Sequence, residues 1–220
     1  ILLGNITETL TDSNPADSSI MPRLATSWKQ IDALTWQFSL RKGVKFHDGK
    51  EFNAEALMFN LKRLFDKRVP FQTRAKFFSD FKLDGKALDA YTVEFKTDRV
   101  QPLLPALLAT LAICSPNTPP DRVVRNPVGT GPFKFARWDA GQQIVLERFD
   151  GYWGKQPQVT KATYVIRKES AVRAAMVAIG EADLAPDIAV QDANRPDMDI
   201  AYFNSETTLL HINMVEPPLN

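Results

Sequence analysis

The chain has 220 residues, of which 44% are apolar and 24% charged, enough for one large domain or two small ones with a true core and a wet surface. Lys and Arg number 27 against 26 Asp and Glu, a net charge of +1 that argues against a nucleic-acid groove or a polybasic membrane patch. The longest apolar stretch, Leu103 to Ile113, contains Pro105 and falls short of the roughly 18 residues a membrane span needs.

Residues 1–10 read as the end of a helix and a short strand over Thr7-Glu8-Thr9-Leu10. Thr11 to Pro22 reads as a turn-rich loop carrying Asp12, Ser13, Asn14, Pro15 and Asp17. Leu34, Trp36, Phe38 and Leu40 then alternate with polar residues, the pattern of a half-buried strand. Lys42-Gly43 and Asp48-Gly49 are turns. Asn53 is a good N-cap for a helix from Ala54 to about Lys67, because Leu57, Met58, Leu61, Leu64 and Phe65 recur at helical spacing. Val69-Pro70 closes it. A short helix over Thr73 to Ser79 follows, then a hairpin of Phe81 to Leu88 and Tyr91 to Thr97, with Tyr91, Val93 and Phe95 on one face.

Pro102 to Thr110 predicts a short apolar helix with Pro102 in its first turn, and Leu111 to Ser115 an extended segment. Asn117 to Pro120 is a proline-rich connector and the best boundary by composition. Asn126-Pro127-Val128-Gly129-Thr130-Gly131-Pro132 is a stiff turn between prolines, opening into a hairpin. Phe133 to Trp138 form its first strand, and Asp139-Ala140-Gly141 the loop, with glycine where φ is positive. Ile144 to Phe149 return, and an aromatic knot, Tyr152-Trp153-Gly154, follows. Further on come a strand over Ala162 to Ile166 and a helix capped by Ser170, with Val172, Ala175, Met176 and Ile179 on one side and Gly180 as its stop. Asp183 to Ala189 reads as a short strand and turn, and Asp199 to Phe203 and Leu209 to Met214 as the last two strands. The irregular mixture predicts an α+β (mixed α/β) fold rather than a regular βαβ series.

The glycine pair beside a strand raises phosphate binding, and the spacing removes it. A dinucleotide fingerprint needs glycine where Lys134 stands, a P-loop needs Gly-Lys-Ser/Thr, and this turn opens a strand rather than a helix. The two histidines, His47 and His211, have no ligand-spaced partner, so ordinary hydrogen bonding is expected and no metal site. No nucleophile elbow or zincin helix occurs, so no enzyme, no catalytic residue and no cofactor is expected. Asp48-Gly49 and Asp150-Gly151 lack the spacing of calcium loops. Trp36 and Trp153 are expected to pack rather than stack on a ligand. The single cysteine, Cys114, cannot form an internal disulfide and reads as a buried, inert thiol; a shortage of cysteine leaves the compartment open. Ile1-Leu2-Leu3-Gly4 carries no signal peptide, and because the first residue is not Met, the natural start is expected to lie upstream.

Several motifs, in order, resemble one family. Pro22-Arg23-Leu24-Ala25-Thr26-Ser27-Trp28, Leu34 through Gly49, Asn53-Ala54-Glu55-Ala56, Asn126 through Phe133, Asp150-Gly151-Tyr152-Trp153-Gly154 and Gly180-Glu181-Ala182-Asp183 together resemble the extracellular solute-binding proteins of family 5, the dipeptide-, oligopeptide- and nickel-binding receptors of ABC importers. The resemblance implies two lobes closing over solute, with a divided first lobe of the class II type: residues 1–30 and 126–220 as the main subdomain, 31–125 inserted. Family members are much longer and carry a second lobe, so the chain is expected to be a first-lobe fragment with half a site. The resemblance also implies a monomer in the periplasm or outside the cell, with a lipid anchor as an option, docking on a membrane permease and binding no nucleic acid. The expected solute is a peptide, with a nickel or other metal chelate, or a sugar, as alternatives; a ligand-sensing domain of a transcription regulator is another reading. Asn5, Thr7, Thr110, Leu111 and Thr130 are the expected cleft-facing residues, although turn and strand-end positions also serve structural roles.

Overall fold

A computed structural model describes residues 2–193 and 195–200. They fall into two compact units, one ending at Val165 and one beginning at Ile166. The first opens with α1 (Leu2–Ile6), β1 (Thr11–Ser13), β2 (Ile20–Pro22), β3 (Ala25–Asp32) and β4 (Thr35–Leu40). It continues through α2 (Ala54–Phe65), α3 (Gln72–Phe77), β5 (Leu83–Asp89), β6 (Thr92–Thr97) and α4 (Leu104–Leu108) to β7 (Phe133–Asp139), β8 (Gln143–Arg148) and β9 (Lys161–Val165).

Three antiparallel sheets result: β1-β2, the four-stranded β3-β4-β6-β5, and β7-β8-β9. In the large sheet Trp36 lies opposite Phe95, and Phe95 opposite Gly85, so one row of the apolar face runs across three strands. The helix α2 covers that face. A Cβ on Gly85 would stand 2.5 Å from the Leu61 side chain, so the helix approaches the sheet where a side chain is missing. Phe38, Val93, Phe95, Leu57, Leu61 and Leu64 are buried together in the main core. A smaller core under the third sheet joins Ile6, Phe133 and Leu146.

The helix cap expected at Asn53 is present: its side chain accepts from the Ala56 N–H at 3.0 Å. The helix stops at Phe65, two residues before the expected end, because Asp66 is already extended at ψ 114°. Gly141 takes φ +74° in the hairpin loop, as the turn chemistry requires.

Other expectations are corrected. The strand expected over residues 7–10 shrinks to a single bridge between Glu8 and Ile113, and the loop expected over 11–22 is the β1-β2 hairpin instead. These segments pair over three residues each, too few for an alternation to show. β3 was not expected: Thr26, Ser27, Lys29, Gln30 and Ile31 are all exposed on an edge strand, so burial imprints almost no pattern there. The proline in the first turn of α4 is Pro105 rather than Pro102.

The second unit contains α5 (Ser170–Ala178), whose described residues include no fully buried side chain. Ser170 is its first helical residue, not its cap: Glu169 holds that place without a side-chain bond. The Ser170 hydroxyl accepts from the Ala189 N–H at 2.7 Å instead, and the 183–189 segment bends at Asp183 and Asp187, with no strand there among the described residues. Gly180 follows the helix at φ +78°, the expected stop. The strands expected over 199–203 and 209–214 run into or lie wholly outside the described residues.

Candidate functional site

The densest polar constellation of the first unit is built around Glu8, on the short link between α1 and β1. The residue is 2% exposed, yet its carboxylate has four donors. Oε1 accepts from Arg23 Nε at 2.9 Å and from the Tyr152 hydroxyl at 2.9 Å. Oε2 accepts from Trp153 Nε1 at 2.7 Å and from the Thr130 hydroxyl at 2.9 Å. A carboxylate offers about four lone-pair sites, so these donors use its whole capacity. The arrangement answers the cost of burying a charge by pairing it fully.

Each donor comes from a different part of the chain. Arg23 lies between β2 and β3, where it also reaches Asp12 at 3.1 Å. Thr130 stands in the Pro-Val-Gly-Thr-Gly-Pro turn, and Tyr152 and Trp153 follow β8. Burial, then the charge of Glu8, pushes the Tyr152 hydroxyl up to about 12, which keeps it a donor at any ordinary pH. The Arg41 guanidinium carbon lies over the Trp153 ring, 4.3 Å from its centroid, and Arg41 Nε donates to the Arg23 carbonyl at 2.9 Å. The aromatic knot thus serves to present an indole N–H and a phenol to one carboxylate.

The turn itself is pinned backbone to backbone. The Gly131 N–H donates to the Ile6 carbonyl at 2.9 Å, the His47 N–H to the Gly129 carbonyl at 2.9 Å, and the Ser115 N–H to the Val128 carbonyl at 2.8 Å. A Cβ on Gly129 would stand 2.1 Å from the Ile6 oxygen, and one on Gly131 2.6 Å from the Asn5 oxygen. Close approach of two backbones therefore demands both glycines; neither is among the positive-φ residues. Next to the turn, Asp48 accepts from the Ser115 hydroxyl at 2.6 Å and Asn117 Nδ2 at 2.8 Å. Burial works to raise its pKa, but these donors outweigh it and hold the carboxyl below its usual value.

The expected cleft residues fall in two places. Asn5, Thr7 and Thr130 come together at this seam. Asn5 Nδ2 donates to the Tyr164 hydroxyl at 3.0 Å, the Thr7 hydroxyl to the Leu3 carbonyl at 3.0 Å, and Thr130, fully buried, to Glu8. Thr110 and Leu111 stand at the end of α4, where the Thr110 hydroxyl donates to the Leu107 carbonyl at 2.7 Å and Leu111 joins the main core. The segment they begin reaches the seam two residues later, through the Ile113 N–H and the Glu8 carbonyl at 2.9 Å. Glu8 was not singled out from sequence. Four donors up to 145 residues distant converge on it, and no local spacing marks that.

Cys114 is buried, and burial raises its thiol pKa, as expected for an inert cysteine. Its backbone is held by Asn60, which is 3% exposed: Nδ2 donates to the Cys114 carbonyl at 2.8 Å and Oδ1 accepts from its N–H at 2.9 Å. Among the described residues no group of three or more His, Cys, Asp or Glu is placed to hold a metal ion.

Antiparallel sheets and short helices pinned at one seam match a lobe of the periplasmic binding-protein fold. The profile of the bacterial extracellular solute-binding proteins, family 5 (middle region), matches residues 19–220, and the chain belongs to that family. It is 29% identical, over an alignment of 257 residues, to the peptide transport periplasmic protein SapA of Salmonella typhimurium, covering 100% of this chain and 46% of that protein. It is 31% identical over 196 residues to the dipeptide-binding protein of Escherichia coli, covering 77% of this chain and 36% of the relative. A solved structure of the periplasmic binding protein DppA from Helicobacter pylori, in complex with the peptide STSA, superposes with a TM-score of 0.71 at 31% identity, over 81% of this chain and 40% of that one. The chain thus spans less than half the length of these relatives.

Proposed function

We propose that the protein to which this chain belongs is the periplasmic solute-binding component of an ABC importer, capturing a peptide or a similar small polar solute and delivering it to a membrane permease. The observation that carries this reading is the family match over residues 19–220, joined to the likeness of the fold to a peptide-bound binding protein. The Glu8 seam supports a binding role over a chemical one. Glu8 is 2% exposed, and its carboxylate accepts from four donors of the chain itself, so it holds the fold together rather than facing a reacting group.

The same reading makes Asn5, Thr7, Thr110, Leu111 and Thr130 the supporting wall of the cleft. Their side chains are engaged within the protein, so they would shape that wall rather than grip solute. The protein would act as a monomer, with residues 1–30 and 126–220 as the main subdomain and 31–125 as the inserted one.

The test is mass spectrometry of solute co-purified with the complete gene product, followed by thermal melts with the solute found. A peptide at about 100 times its Kd should stabilise by about 2.7 kcal/mol. A chelated metal or a sugar in the peptide's place would overturn the peptide assignment. Turnover of the solute would overturn the transport reading itself.

A further inference from the structure

His47 uses both ring nitrogens on the glycine turn, and it does so in only one protonation state. Nε2 lies 2.9 Å from the Gly131 carbonyl and acts as the donor there. Nδ1 lies 3.4 Å from the Gly129 nitrogen and accepts from its N–H. Donor at one nitrogen and acceptor at the other is the neutral imidazole. A second proton would sit on Nδ1, facing the Gly129 N–H donor to donor. The bond to Gly131 survives that change; the bond to Gly129 does not.

We propose that His47 is a proton-operated latch: neutral, it clasps the loop at 46–49 to the turn at 129–131, and protonated, it releases Gly129 and loosens the seam that carries Thr130 to Glu8. Backbone bonds from Gly131 to Ile6, from His47 to Gly129 and from Ser115 to Val128 also hold the turn, and Thr130 adds its hydroxyl.

The surroundings set the direction. The ring is packed edge-on against Phe149, with centroids 4.9 Å apart. Burial is the leading effect and lowers the pKa from the ordinary 6.5. The Gly131 carbonyl and the charges of Asp48 and Glu8 pull the other way, Lys134 adds to the lowering, and the net direction is down. The unfolded chain therefore binds the proton first as pH falls. Stability is whole above about pH 6.5 and declines as pH drops toward the folded-state value.

The full chain is measured with no solute present, so failure here is separable from failure of the solute-binding reading. Denaturant melts from pH 8 to 5 compare wild type with His47→Gln, which keeps an amide donor for Gly131 and cannot titrate. One proton linked to folding changes the folding constant by up to tenfold per pH unit. The ratio of the wild-type to the variant folding constant should fall as pH goes below 6.5, by no more than that slope. Amide exchange at Gly129, corrected for intrinsic rates, should lose protection over the same range while Phe38 in the main core keeps its own. The His47 Cε1–H resonance, assigned against His211→Gln, should titrate below 6.5, and this reads the wild type even if His47→Gln does not fold. Parallel melts for the two proteins, unchanged Gly129 exchange, or a His47 titration at or above 6.5 would each overturn the latch.

Discussion

Replacing Glu8 by alanine tests whether the buried carboxylate holds the fold together. The substitution leaves Trp153 Nε1, the Tyr152 hydroxyl and the Thr130 hydroxyl without their acceptor, and the Arg23 guanidinium with Asp12 alone. Removing one partner of a buried pair costs about 3–5 kcal/mol. Arg23 is 31% exposed and regains part of its hydration, which favours the lower end of that range. Each buried donor left unpaired costs about 1–3 kcal/mol, though Thr130 can turn its hydroxyl to another acceptor. A loss of about 4 kcal/mol is expected, or roughly 8–16 °C in Tm for a chain of this size. Glu8→Gln is the informative companion. Whichever way the amide sits, its NH2 faces either Trp153 Nε1 or Arg23 Nε, and neither can accept a hydrogen bond. It should therefore lose about 2–3 kcal/mol despite its matched shape. Thermal and urea melts followed by circular dichroism measure both. If Glu8→Ala stays within about 1 kcal/mol of wild type, an unpaired buried donor set is not costly here and the reasoning is wrong.

Three further outcomes follow from the same structure. Gly129→Ala and Gly131→Ala should each cost about 3 kcal/mol or more, since the new Cβ meets backbone rather than a movable side chain; Gly4→Ala, with open space around it inside α1, should be neutral or gain up to about 1 kcal/mol. Equal melting curves for the three would contradict the close approach. Asn60→Leu should lose about 2–4 kcal/mol, because the Cys114 N–H and carbonyl are left unpaired in the core, and urea melts check this. Burial keeps the Cys114 thiol protonated, so a thiol reagent at pH 8 should label it only on unfolding. Rapid labelling of the native chain would contradict its burial.

The parts legible in the sequence are those where burial prints a long, one-sided pattern. Leu57, Leu61 and Leu64 mark α2, Phe38 and Leu40 mark β4, and Val93 and Phe95 mark β6; each stripe lies on the buried face. The polar edge strand β3 and the three-residue strands β1 and β2 print no such pattern and were missed. Ser170 shows a different failure. Its residue type suited a helix cap, but its hydroxyl had a stronger use, accepting the Ala189 N–H.

The linear order of motifs by itself determined the family, because ordered matches along the chain need no coordinates. It also marked the Pro-Val-Gly-Thr-Gly-Pro segment as a turn entering a hairpin. Only the tertiary structure decided why the turn is built that way. Gly129 and Gly131 are dictated by the oxygens of Ile6 and Asn5, and Thr130, Tyr152 and Trp153 by a carboxylate more than a hundred residues upstream. Contacts across such separations obey distance and hydrogen-bond capacity, and neither leaves a period or a spacing in the sequence that could be read beforehand.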